Sequence, residues 1–204
     1  MGTLHHQTEP TAKHERRQSV VTGFAHPARN VAALGVGPGM KVADFGAGSG
    51  AYVLTMAEAL SGSGTVYAID IQKDLLRRIK SETEHRGFTN VEILCGDLEV
   101  SHGSKLKDGI LELVLISNLL FQVKDKKAVI AEAARVLRTG GRLAIIDWAE
   151  SFGGMGPTKE DVVAKEKAYE LARSTGLLFA DEFEAGAHHY GLIFRKTKEA
   201  SAEE

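Results

Sequence analysis

The chain has 204 residues, room for one domain of ordinary size, and its 43% hydrophobic and 25% charged residues match a globular core, not a disordered chain. Lys+Arg 25 against Asp+Glu 27, a formal charge of -2, excludes a protein whose affinity rests mainly on neutralising phosphates. A single cysteine, Cys95, excludes a disulfide framework and any zinc site needing two thiolates.

Residues 1–29 are polar and histidine-bearing and are expected to form a polar or helical cap segment, with His5 and His6 disordered. They lack the apolar stretch of a secretion signal and the Ser or Thr that myristoylation needs at position 6. No apolar run anywhere reaches the roughly 18 residues of a membrane span, so a cytoplasmic protein is the expectation. His26-Pro27 opens an apolar helical stretch, Val31 to Leu34.

From Asn30 onward, short aliphatic runs alternate with stretches of helical period, the pattern of βαβ units around a parallel sheet. The strands read as Lys41–Phe45, Thr65–Asp70, Val91–Cys95, Leu113–Ile116 and Arg142–Asp147. Lys73 to Arg86 carries Leu75, Leu76 and Ile79 on one face and stops at Gly87. Asp125 caps a helix with the stripe Val129, Ile130, Ala133, Ala134 and Leu137, closed by Gly140-Gly141. Thr158 and Asp161 resemble a capping box opening a helix to about Thr175, while Ser101 to Gly109 predicts a loop or short helix. Leu177–Glu184 and His189–Arg195, joined by Ala185-Gly186-Ala187, form a hairpin, and residues 196–204 read as a frayed tail.

Asp44, Asp70, Asp97, Asn118 and Asp147 each close or follow one of these runs, spaced 26, 27, 21 and 29 residues apart. In an open parallel sheet, ligands bind outside the carboxyl ends of the strands where strand order reverses, so five polar side chains converge on one edge. Asp is also common at turns and caps, which accounts for any one of them taken singly.

Asp44-Phe45-Gly46-Ala47-Gly48-Ser49-Gly50 stands at the first crossover, where glycines allow a sharp turn and close approach of a ligand to the backbone. The run also fits the dinucleotide pattern G-x-G-x-x-G/A. Asp44, however, stands where a dinucleotide would place its pyrophosphate, and like charges at 4 Å cost about 4 kcal/mol at an effective dielectric of 20. Such a site suits a ligand with a cationic group and no phosphate. Asp70, 20 residues beyond Gly50, is placed to accept from ribose hydroxyls, and Ile71 offers an apolar face to adenine. A ribose, an adenine and a cationic centre without phosphate describe S-adenosylmethionine.

Val42 to Gly50 resembles the first motif of the class I S-adenosylmethionine-dependent methyltransferases, Ala68-Ile69-Asp70 their second and Cys95-Gly96-Asp97-Leu98 their third. Arg135-Val136-Leu137-Arg138-Thr139-Gly140-Gly141-Arg142-Leu143 is similar to the segment before the fifth strand in the branch holding quinone-biosynthesis and many small-molecule enzymes. The resemblance covers residues 30–195. It implies a Rossmann-like, seven-stranded, mostly parallel sheet of order 3-2-1-4-5-7-6 with a C-terminal antiparallel hairpin and helices on both faces. It also implies that Asp44 and the Gly46, Ala47, Gly48 and Gly50 backbone hold the methionine portion, while Asp70 binds the ribose. Ile71 would pack on the adenine, Asp97 and Leu98 would meet its amino edge, and Asn118, or Ser117 before it, would make a main-chain contact to the methionine amino group.

Methyl transfer from a sulfonium is an in-line displacement that positioning and water exclusion can drive, with a base needed only when the acceptor must lose a proton. No residue commits itself as that base; Asp147 beside Trp148 could face the acceptor or serve as a cap. His188-His189 point to opposite faces of a strand, against a paired metal site. Asn118-Leu119-Leu120 departs from the motif of nucleic-acid amine methyltransferases, the N-terminal signature of the quinone enzymes is absent from residues 1–30, and arsenite enzymes need several cysteines. A small-molecule acceptor is therefore expected, recognised by residues 1–30, the loop after Asn118 and Ser151 to Thr158. Two alternatives stay open here: an NAD(P)-dependent oxidoreductase and a non-catalytic member of the methyltransferase fold.

Overall fold

A computed structural model describes residues 25–198. In chain order the elements are α1 (Pro27–Ala33), β1 (Lys41–Phe45), α2 (Ala51–Ala59), β2 (Thr65–Asp70), α3 (Lys73–His85), β3 (Val91–Cys95) and β4 (Leu111–Ser117). They continue with α4 (Lys126–Val136), β5 (Leu137–Trp148), α5 (Lys165–Ser174), β6 (Leu177–Gly186) and β7 (His189–Lys196). The expected cap segment and tail lie largely outside the described residues. Pro27, at the first turn of α1, already belongs to the folded unit, and so does Lys196, the last residue of β7.

The seven strands form one sheet of order β3-β2-β1-β4-β5-β7-β6. β1 to β5 are parallel, and β7 runs antiparallel between β5 and β6. β1 and β4 are buried over nearly their whole length, as parallel strands covered on both faces must be. One face carries Phe45, Val114, Ile116, Ile145 and Phe194 against α4 and α5. The opposite face carries Val42, Val66, Leu113, Leu115 and Ile146 against α1, α2 and α3. Strand order reverses between β1 and β4, which makes their carboxyl ends the place for a ligand.

Two expectations need correction. α4 ends at Val136, and β5 starts at Leu137 rather than Arg142, so Gly140-Gly141 lie inside a strand. The extra length is accommodated by a register shift between Leu111 and Leu113 of β4. α5 starts at Lys165, seven residues beyond Thr158. The Thr158 hydroxyl donates to the Asp161 side chain at 2.7 Å rather than accepting from a backbone N–H, so the pair closes a turn and caps no helix. Val163 is then drawn into the core and its carbonyl accepts the Tyr190 hydroxyl at 3.0 Å, which keeps that backbone out of a helix. Residues 101–109 contain turns and no helix.

Candidate active site

The site is built where β1 hands over to α2. Gly46 N and Ala47 N donate to the Ile69 carbonyl at 2.9 and 3.0 Å, which bends the loop over the end of β2. Asp70 fixes it there: one carboxylate oxygen accepts from Gly48 N at 2.9 Å and the other from Gln72 N at 2.8 Å. Gly46 sits at φ 76, and a Cβ there would lie 2.8 Å from Leu119 Cδ1, so the segment after β4 closes tightly against the loop. Gly50, at φ 82, caps α2, and a Cβ there would stand 2.7 Å from Ile79 Cγ1. Gly50→Ala should therefore lower the melting temperature by about 2–8 °C, from roughly 1–2 kcal/mol of left-handed strain and the displacement of Ile79. Thermal unfolding by circular dichroism measures it.

Around this loop opens a cleft of about 310 Å³. Gly46, Gly48 and Asp70 form its floor, with Ile71, Gln72 and Leu75 from the start of α3 on one side. Gly96, Asp97, Leu98 and Glu99 form the side beyond β3, and Leu119, Gln122 and Val123 close it from beyond β4. Ile71 is 62% exposed, an apolar side chain held open at the rim. Glu99 joins two of these walls, since its carboxylate accepts from Lys124 N and Asp125 N at 2.9 and 2.6 Å.

Asp44 lies off the lining, 2% exposed at the end of β1. Burial, and then the nearby Asp70 carboxylate, push its pKa up to about 8. A buried carboxyl so destabilised in its charged form favours a cationic ligand, which restores the charge. Asn118 takes φ 53, its N–H donates to the Ile146 carbonyl at 2.8 Å, and its Oδ1 is buried without a hydrogen-bond partner. That acceptor is unpaired within the fold.

Asp147 is fully buried and accepts from Leu120 N at 3.0 Å and Trp148 N at 2.8 Å. It fixes the loop after β4 from inside the fold and does not face an acceptor, so the base reading is removed. Burial raises its pKa to about 6, with the Trp148 and Leu120 N–H groups opposing that rise.

Of the ten residues expected at the cofactor site, Gly46, Gly48, Asp70, Ile71, Asp97 and Leu98 line the cleft. Asp44, Ala47, Gly50 and Asn118 lie beneath or behind it. Ala47 is buried, and Gly50 serves as a helix cap. Gln72, Glu99, Gln122 and Val123 were not singled out in the sequence, and Leu75, expected on one apolar helix face with Leu76 and Ile79, lines the cleft while those two are buried. The signal for Gln72, Glu99, Gln122 and Val123 was position, within a few residues of Asp70, Asp97 or Asn118, and their residue types add none. Among the described residues no cluster of His, Cys, Asp and Glu could hold a metal ion, and no helix is long and apolar enough to cross a membrane.

A glycine-cradled cleft at the switch point, with one acid buried at the end of β1 and another at the end of β2, defines a nucleoside-binding α/β domain of the class I methyltransferase type. Residues 37–195 match the family described as "Methyltransferase domain", and the chain belongs to that family. A solved S-adenosylmethionine-dependent methyltransferase from Aquifex aeolicus shares the fold with a TM-score of 0.76 at 24% identity, over 84% of this chain and 89% of that one. The demethylmenaquinone methyltransferase of Geobacillus sp. (strain WCH70) is 26% identical over 72% of this chain and 63% of its own length. The nocamycin O-methyltransferase of Saccharothrix syringae is 29% identical over 76% of this chain and 55% of its own. The chain thus spans less than two thirds of the length of these two curated relatives.

Proposed function

We propose that the protein transfers a methyl group from S-adenosylmethionine to a small-molecule acceptor. The observation that carries this is the pairing of the Gly46–Gly48 cradle with Asp44, a buried acid that favours a cation beside it. Asp70 accepts from the ribose hydroxyls with the lone pairs that Gly48 N and Gln72 N leave free. Ile71 packs on the adenine, and Asp97 with the Leu98 backbone meets its amino edge. Asp44 and the main chain at Ser117 or Asn118 face the ammonium of the methionine portion. Bound there, S-adenosylmethionine supplies a methyl group on a good neutral leaving group. The protein's share is to align the acceptor atom about 3–3.5 Å from that methyl carbon and to exclude water. With Asp147 committed to backbone N–H groups, no protein base is assigned to the step. An acceptor of small size is supported by the quinone and natural-product acceptors named for the two curated relatives.

Calorimetric titration with S-adenosylmethionine, S-adenosylhomocysteine, NAD and NADP tests the reading. Binding of the first two with silence from the others is the expected result, and binding of NAD alone overturns it. In the same titration Asp70→Ala should weaken S-adenosylmethionine by about 1.5–3 kcal/mol, the loss of a charge-assisted hydrogen bond. An unchanged dissociation constant in a folded variant would remove Asp70 from the site.

A further inference from the structure

Val42, Leu113, Arg142 and Arg195 form one row across β1, β4, β5 and β7, at the amino ends of β1 and β4. The row sets Arg142 directly opposite Arg195 in the antiparallel pair. Side chains so placed share one face of the sheet with Cβ atoms about 4.5–5.5 Å apart, and like charges there destabilise the pairing. Arg142 is half-buried and Arg195 is exposed. Among the described residues no hydrogen bond or ion pair engages the Arg142 guanidinium. Burial, and then Arg195, push its pKa down from the ordinary value.

A third guanidinium joins them at the bend before Arg142. Arg195 Nη1 reaches the Gly140 carbonyl at 3.5 Å, and Arg138 Nη1 lies 3.7 Å from where a Gly140 Cβ would stand. The nearby carboxylates leave this charge in place. Glu112 is shared between Arg138 Nε at 3.0 Å and Lys41 N at 2.7 Å. Asp181 of β6, opposite Ile193, lies on the face that Arg195 shares, but its Oδ1 accepts from Glu182 N at 2.9 Å, and among the described residues it pairs with no arginine. A chain of net charge -2 has no general excess of base to account for such a cluster. Leu178, directly opposite Arg195 on β6, is 49% exposed and gives the cluster an apolar border.

We propose that Arg142 and Arg195, with Arg138 at the rim, bind the phosphate group of a phosphate monoester whose apolar part lies on Leu178, at the edge of the sheet opposite the cofactor cleft. Two guanidinium forks match the oxygens of a tetrahedral dianion with paired N–H donors, and Arg serves this role better than Lys because its donors are fixed in a plane. A dianion between them replaces the cross-strand repulsion by attraction to both. A single carboxylate, with one negative charge, leaves half of that repulsion uncompensated. Four to five residues of strand, about 15 Å, separate the Val42–Leu113–Arg142–Arg195 row from Gly46 and Asn118, so a phosphate held there does not enter the cofactor cleft. The site stands on its own geometry and does not depend on the methyltransferase reading.

The test follows the ¹⁵Nε–H signals of Arg142 and Arg195 by NMR in the full chain, titrated with phenyl phosphate, inorganic phosphate and sodium chloride at matched ionic strength. Phenyl phosphate should shift both signals saturably, with a dissociation constant below about 1 mM, and chloride should not. Inorganic phosphate should move the same signals with lower affinity; equal affinity would overturn the monoester and leave the free ion as the ligand. Arg142→Gln and Arg195→Gln should each weaken phenyl phosphate at least about tenfold, the loss of a charge-assisted pair. Arg195→Lys, which keeps the charge without the fork, should recover part of it. Arg195→Gln changes an exposed strand position and relieves the repulsion, so without phosphate it should melt no lower than the wild type. The proposal is overturned if chloride matches phenyl phosphate, if both Gln variants keep full affinity, or if phenyl phosphate competes with S-adenosylhomocysteine, which would put the anion in the cleft. A wild type that fails to bind S-adenosylhomocysteine while phenyl phosphate still titrates the arginines would sink the methyltransferase reading and leave this site standing.

Discussion

Asp44→Asn is expected to weaken S-adenosylmethionine binding by about 10- to 100-fold while raising the melting temperature of the unliganded protein. Both effects come from the same burial. The folded-state pKa of about 8 lies far above the ordinary 3.8. The native protein therefore holds a proton that the unfolded chain has lost, and stability falls with rising pH between those values. The slope is up to about 1.4 kcal/mol per pH unit, and it vanishes in the Asn variant. Below about pH 4 the two proteins should be equally stable, and near pH 7 the variant should lead. An ammonium arriving beside Asp44 stabilises its charged form, so binding near pH 7 should release close to one proton. Calorimetry in buffers of different ionisation enthalpy measures that release, and Asp44→Asn should abolish it. A variant that binds S-adenosylmethionine as tightly as the wild type would show that Asp44 does not meet the cation.

The βα rhythm and the acids at the strand ends were legible because each rests on a few adjacent residues. β1, β2 and β3 begin and end where their aliphatic runs do. The boundary between α4 and β5 was not legible, since Val136-Leu137 fits either period and the pairing of Leu137 with Leu111 across the sheet decides it. Thr158-x-x-Asp161 misled for a related reason: its hydrogen bond goes from side chain to side chain, and the Tyr190 bond to Val163 comes from 27 residues away. The floor of the cleft could be read from one strand-to-helix turn. The wall of Leu119, Gln122 and Val123 could not, because the bend there is held by Asp147, which accepts from Leu120 N across another 27 positions. His189 shows the same limit. A strand histidine reads as ordinary until the sheet buries both of its nitrogens without partners.

Glu132→Ala should cost about 3 kcal/mol and lower the melting temperature by roughly 6–12 °C. The Glu132 side chain, on the buried face of α4, accepts from Ser104 N at 3.0 Å, Ser104 Oγ at 2.5 Å and His102 N at 3.1 Å. Arg135 holds the same carboxylate at 2.8 and 2.6 Å and also reaches Asp108. Burial works against the charge, but the hydrogen bonds from Arg135 and Ser104 together outweigh it and hold the pKa down to about 2. The cost falls at the low end of the range for a broken buried pair because Arg135 is 15% exposed and keeps Asp108. The sign with pH is opposite to that at Asp44. This contribution is complete above the ordinary value of 4.5 and is lost as pH falls toward 2, so Glu132→Gln should flatten the acid limb of the stability profile. The turn held by Glu132 supports the cofactor cleft. A Cβ on Gly103 would lie 1.6 Å from the Asp97 carbonyl, and one on Gly96 would lie 2.0 Å from the Gly103 carbonyl, so the two backbones are in direct contact. Loosening residues 102–104 must therefore loosen Asp97 and Leu98. Urea unfolding measured with and without S-adenosylhomocysteine separates the two effects. Glu132→Ala should show lower stability together with a smaller stabilisation by ligand. Lower stability with undiminished ligand stabilisation would confine Glu132 to the fold and release the adenine wall from it.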